Sequence, residues 1–206
     1  MKRLFAFAAL LSFPLLLMAQ AKSIRFTQDG EFASVSQFTA PFTVVSLQVS
    51  RGATTAAGAT AFLQFSSVSE PADFSSITII NIFGPIPPED FTGVNTHNLV
   101  LNVDTSTLDP AIFTTETCTI DFTTFITTCG PGPAGLIHLE FRENGAQRSI
   151  VDLKQTTYSG PVTTHVHQKS DNSTADVQGS IFGSSFTGAP ANVGVNHQST
   201  LQITHD

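Results

Sequence analysis

From Lys22 onward, short runs in which every second residue is apolar recur between turn residues, with no sustained i, i+3, i+4, i+7 pattern. A period of two sends alternate side chains to opposite faces of an extended strand. The chain is therefore expected to build β-sheet and little else. The runs are short. Val45, Leu47 and Val49 alternate in "TVVSLQVS", Ala61, Leu63 and Phe65 in "AFLQF", and Leu99, Leu101 and Val103 in "NLVLNV". In "GLIHLEF", Ile137, Leu139 and Phe141 face one way and His138, Glu140 and Arg142 the other. Ile24 and Phe26 in "SIRF" read the same way. "SITIINIF" is apolar on both sides, as a strand covered on both faces would be. With 18 Phe, one Tyr and no Trp, phenylalanine is the expected core aromatic.

About ten to twelve such runs, separated by turn residues and without an internal repeat, predict an all-β antiparallel sandwich forming a single domain over 22–206. Asp29-Gly30 and Asn144-Gly145 are hairpin signals. For the second, a three-residue loop Glu143–Gly145 sets Phe141 and Leu139 opposite Gln147 and Ser149. That register keeps Arg148, Asp152 and Lys154 out of the core, carries Val151 and Leu153 in phase, and leaves Gly145 at the left-handed position. Two proline-rich segments, "GPIPPEDFTG" and "CGPGPAG", read as stiff loops that end strands and could serve recognition.

Residues 1–21, "MKRLFAFAALLSFPLLLMAQA", have a positive start, an apolar stretch too short and proline-broken for a membrane span, and a small-x-small end. They read as a cleaved secretory signal peptide. The expected location is secreted or periplasmic, with no membrane span after cleavage. The 185-residue remainder is long enough to bury a core. Loss of Lys2 and Arg3 leaves seven basic residues against 16 acidic ones, a net charge of −9. A scattered acidic surface is a poor match for phosphate backbones, so nucleic acid is excluded as the expected partner. An unknown protein or surface ligand remains.

Cys118 and Cys129 are the only cysteines. An exported chain with two cysteines is expected to join them. Folding "CTIDFTTFITTC" at Thr123-Thr124 sets Ile120 opposite Thr127 and Cys118 opposite Cys129, within disulfide reach.

The strongest chemical lead is "VTTHVHQKSDNSTADVQ", residues 162–178. Alternation puts His165, His167 and Lys169 on one face and Val162, Thr164 and Val166 on the other. A hairpin turning at Ser170–Ser173 brings Val166 opposite Val177 and His167 opposite Asp176. His165, His167 and Asp176 would then offer an N,N,O set for Zn or Cu, with His197, His205 or Asp206 as a possible fourth ligand. Lys169 on the same face opposes a cation, and the Asp176 pairing accounts for His167 without one. "DTSTLD" and "DNSTAD" lack the alternating carboxylates and central glycine of a calcium loop and read as capped turns.

Catalytic signatures are absent. "GSSFT" has Thr187 where G-x-S-x-G needs its second glycine, and there is no H-E-x-x-H. Glu140 and Glu143 lie on opposite faces and cannot flank a glycosidic bond. Tyr158 alone cannot build an aromatic sugar platform. "NST" at Asn172 is a formal glycosylation sequon. The expectation is an exported, soluble, non-enzymatic β-sandwich protein with a binding or structural role at the cell surface or in the periplasm. The alternative is a metal-binding protein or metal-dependent enzyme using the His165/His167 face.

Overall fold

The computed structural model describes residues 22–39, 43–93 and 98–205. The expected signal peptide and Asp206 lie outside the described residues. Eleven strands follow one another: β1 (Lys22–Thr39), β2 (Thr43–Thr54), β3 (Gly58–Ser69), β4 (Ser76–Ile86), β5 (Phe91–Thr92), β6 (Asn98–Asp104), β7 (Thr114–Asp121), β8 (Ile126–Pro131), β9 (Leu136–Ser159), β10 (Val162–Ile181) and β11 (Ser184–Thr204). Two short 3-10 turns, Pro88–Asp90 and Thr105–Thr107, are the only helical pieces among the described residues.

All eleven strands join one antiparallel sheet in the order β5-β6-β9-β10-β11-β1-β2-β3-β4-β7-β8. The all-β expectation holds. The two layers of a sandwich do not arise from separate sheets, because hydrogen bonding is continuous from β5 to β8 and the ends do not meet. The sheet instead curls over a single core. Leu47, Val49, Leu63, Phe65 and Ile82 of β2–β4 belong to the same buried cluster as Leu99, Leu101, Val103, Ile137, Leu139 and Phe141 of β6 and β9. Phe65 meets Phe182, from the β10–β11 turn, edge to face at 6.1 Å. The alternation read from "TVVSLQVS", "AFLQF", "NLVLNV" and "GLIHLEF" thus names the core directly.

Four strands outgrow that body. β9, β10, β11 and β1 run 24, 20, 21 and 18 residues. Beyond the row Arg148–Ser173–Val193–Ala33 they continue with β2 and β3 alongside as far as Thr54 and Gly58, and past Gln28 they form a four-stranded wing. Every residue from Gly145 to Ser159 is exposed. Ile24 and Phe26, expected from their alternation to be core, sit in this wing and are exposed.

The cysteine hairpin forms in the expected register, with Cys118 paired to Cys129 and Ile120 to Thr127. The disulfide is made, with the two Cα atoms 4.1 Å apart. Asp104 caps the 3-10 turn that follows it, accepting from the Ser106 N–H at 3.0 Å and the Ser106 hydroxyl at 2.6 Å. The proline segments seal the body. Ile86 and Phe91 flank Pro88–Asp90 and are buried. Buried Thr105 clamps the glycine-proline segment, its N–H donating to the Gly135 carbonyl and its hydroxyl accepting from the Gly135 N–H at 3.0 Å.

Three hairpin expectations are corrected. Asp29-Gly30 lies inside β1, paired with His197-Asn196 on one side and Ala53-Gly52 on the other. Ser170–Ser173 lies inside β10, paired with Val151–Arg148 and Asn196–Val193. Both segments have strands on either side, and an unbroken ladder satisfies their backbone groups in a way that a local turn would not. Turn propensity is local and weak against two flanking ladders. Asn144-Gly145 makes a bulge instead of a hairpin. Between Glu143↔Ala175 and Arg148↔Ser173, β9 spends four residues where β10 spends one. Gly145 is left-handed (φ 71°), as expected. The Asn144 carboxamide holds the bulge, accepting from Ala146 N–H at 3.1 Å and Thr174 hydroxyl at 2.8 Å and donating to Asp176 at 2.9 Å.

Candidate functional site

The loss of the turn at Ser170–Ser173 decides where the chemistry lies. With period two unbroken through β10, His165, His167, Lys169, Asp171 and Ser173 share a face with Ala175 and Val177. The histidines are therefore on the core-side face, continued outward over the wing. One row across β9, β10, β11 and β1 holds Ile150, Asp171, Val195 and Glu31. The next outward holds Asp152, Lys169, His197 and Asp29, and the one after it Lys154, His167, Ser199 and Thr27. The same face that is apolar in the body is charged in the wing.

Where the two regimes meet there is a cleft of about 540 Å³. Asp29, Glu31, Arg51, Lys169, Asp171 and His197 line it, with Gly93, just past β5, beside them. Burial raises the Glu31 carboxyl above its ordinary range, against the pull of Arg51, whose Nη1 lies 3.4 Å from its Oε2. The Asp29 carboxylate adds to that rise. Asp29 in turn contacts Nδ1 of His197. Behind the cleft, Arg148 grips Asp171 with a two-pronged fork, Nε to Oδ1 at 2.9 Å and Nη2 to Oδ2 at 2.6 Å. Planar guanidinium and carboxylate match in this geometry, which fixes both side chains. Two cationic side chains, Lys169 and Arg51, line the cleft. The Lys169 ammonium has no ion pair among the described residues, and the Arg51 Nε is buried without a hydrogen-bond partner.

The expected metal set is not assembled. His165 and His167 share a face, but Asp176 lies on the same continuous strand, nine positions beyond His167 and on the opposite face. At about 3.3 Å per residue the separation is about 30 Å. Asp176 pairs with Arg142 in register and accepts from Asn144. The carboxylate that does meet His167 is Asp152 of β9, whose Oδ1 lies 2.9 Å from Nε2. The hairpin misplaced that partner because it supplied a neighbouring strand that β9 in fact provides. His165 Nδ1 bonds the Thr156 hydroxyl at 3.0 Å, and His205 the Thr163 hydroxyl at 3.3 Å. His197 of β11 does reach the wing's core-side face, in register with Lys169. Among the described residues, the one close group of three potential ligands is Glu116, Cys118 and Cys129, and the disulfide occupies both sulfurs.

Asp152, His167 and Ser199 occupy three adjacent strands, and their types match an acid, a base and a nucleophile. No hydrogen bond joins Ser199 to His167 among the described residues. Ser199 also sits between two paired strands, β10 and β1, so the backbone N–H groups beside it are engaged in ladders. An oxyanion hole needs free donors aimed at the developing charge. Asn172 is likewise part of a strand; its Oδ1 is buried beside Gly194.

Sequence reasoning missed Asp29, Glu31, Arg51 and Asp171. The signal was present: the odd-numbered positions 165 to 177 keep one phase while passing from polar to apolar. No protein-family model, no curated protein and no solved structure matches this chain.

Proposed function

We propose that this protein is an exported, non-enzymatic binding protein and that the cleft at the root of the wing is its ligand seat. The observation that carries this reading is the exposed Lys169 ammonium, without an ion pair among the described residues, beside the Arg51 guanidinium in a cavity whose acids already have partners. A hydrogen bond from such a cation to a ligand carboxylate is charge-assisted and stronger than one between neutral groups. The ligand class is a small, polar, carboxylate-bearing molecule. The strand ladders on both sides fix the lining groups before the ligand arrives, which lowers the entropy lost on binding. The disulfide is compatible with an oxidising compartment, and no helix among the described residues is long and apolar enough to cross a membrane.

The test is calorimetry with a panel of small carboxylates, including dicarboxylates, amino acids and uronic acids. Saturable binding is expected, weakened about tenfold or more by Lys169→Ala, the effect of losing one charge-assisted hydrogen bond. A panel without one ligand binding tighter than millimolar refutes the cleft as a seat for this class. Turnover on a hydrolase panel, abolished by a single substitution in the cleft, refutes the non-enzymatic reading. Secretion is checked separately by fractionating cells that express the full chain.

A further inference from the structure

The wing leaves one long strand edge open. β6 covers the outer edge of β9 only as far as Asn98↔Arg142. From Arg148 to Tyr158, β9 pairs with β10 on one side and with nothing among the described residues on the other. Eleven residues of free edge extend about 37 Å. They contain no proline, and the pairing with β10 has no irregularity after the Asn144 bulge. Ile150 and Leu153 are each 57% exposed and Tyr158 79%. A long, regular, partly apolar edge of this kind is a template for another strand.

We propose that this edge pairs with the same edge of a second copy, making a twofold dimer with one sheet continuous across both wings. The strand's own charge pattern selects the partner. A closed twofold dimer places the core-side faces of both copies on one side, so the allowed antiparallel registers differ by steps of two residues. Centring the axis on Leu153 sets Asp152 opposite Lys154 of the other copy, and Lys154 opposite Asp152, so opposite charges meet twice. A shift of two residues in one direction sets Asp152 against its own copy; in the other direction Lys154 meets its own copy. Both put like charges face to face. The central register also overlaps the whole free segment, Arg148 against Tyr158 and Ile150 against Thr156. Lys154 has no ion pair among the described residues. His167 uses only Oδ1 of Asp152, so Oδ2 is open to the second copy.

The other open edges do not fit. The β1 edge ahead of its pairing with β2 spans only Lys22 to Thr27, and its charges, Lys22 and Arg25, are both positive. The free edge of β8 is six residues long and ends at Pro131.

Sedimentation velocity on the full mature chain over a wide concentration range tests the proposal. A reversible monomer–dimer equilibrium is expected. Asp152→Lys alone and Lys154→Asp alone should each weaken it about tenfold or more, since each replaces two attractions by two repulsions. The double reversal Asp152→Lys with Lys154→Asp should restore it. Leu153→Cys should form a covalent dimer under mild oxidation, because the axis passes beside it, while Val151→Cys, facing Gln155 of the other copy, should not. Should a charge variant fail to fold, the cysteine pair decides the question alone. A monomer at every concentration overturns the proposal, as do single reversals without effect or cross-linking at Val151 in preference to Leu153.

Discussion

Two isoleucines, each read from the sequence as part of a strand, are expected to differ severalfold in what they contribute to stability. Ile82 of β4 is fully buried (0% exposed) in the curled body, whereas Ile24 of β1 is 43% exposed on the wing. Truncation to alanine removes three carbons. At about 0.8 kcal/mol per buried methylene, the transfer term for Ile82 is about 2.4 kcal/mol. The cavity left in a close-packed core brings the total to about 3–4 kcal/mol. Ile24 loses only about half of the transfer term and leaves no enclosed void, so Ile24→Ala should cost about 1 kcal/mol. For a domain of this size each kcal/mol moves Tm by about 2–4 °C, so Ile82→Ala should lower Tm by about 6–16 °C and Ile24→Ala by about 2–4 °C. Urea unfolding followed by far-UV circular dichroism suits a chain without tryptophan. Equal destabilisation by the two substitutions would refute the division into a packed body and an uncovered wing.

Replacing Cys118 and Cys129 together by serine should cost about 3 kcal/mol by loop-closure entropy, read as a lower urea midpoint; an unchanged midpoint would show that the hairpin is equally restricted without the bond. The Asp121 carboxyl is held below its ordinary 3.8 by the backbone N–H groups of Thr124 and Thr123, which it accepts across the β7–β8 turn. A depressed folded pKa contributes stability above the unfolded value and loses it as pH falls through the folded one, so Asp121→Asn should be less stable than the parent above about pH 4, with the gap narrowing in more acid solution. A gap that stays constant from neutral pH to pH 2 would remove the carboxylate from the explanation.

The core was legible because it depends on a repeat that survives local error. Ile137, Leu139 and Phe141 point inward whether β9 ends at Asn144 or continues to Ser159. The disulfide was legible for a similar reason, since both cysteines lie within one short hairpin whose register its own turn sets. The cleft was not. Asp29, Glu31, Lys169 and Asp171 belong to segments with strong turn chemistry, Asp-Gly and Ser-Asp-Asn-Ser. A turn at either place changes which face every later residue takes. Reading a turn into β10 moved His165 and His167 from the core-side face to the other and set Asp176 beside them.

By itself, then, the sequence determined the class of structure, the inward residues of the body and the cysteine pairing. Alternation and short-range register are written in consecutive residues. The tertiary structure decided that four strands run on past the core, that one face changes from apolar to charged along them, and that β9 keeps a free edge. Those outcomes depend on which distant strand lies alongside. β11 pairs with β1 across most of the chain's length, and that pairing, which no local pattern encodes, keeps the ladder unbroken through Asp29-Gly30.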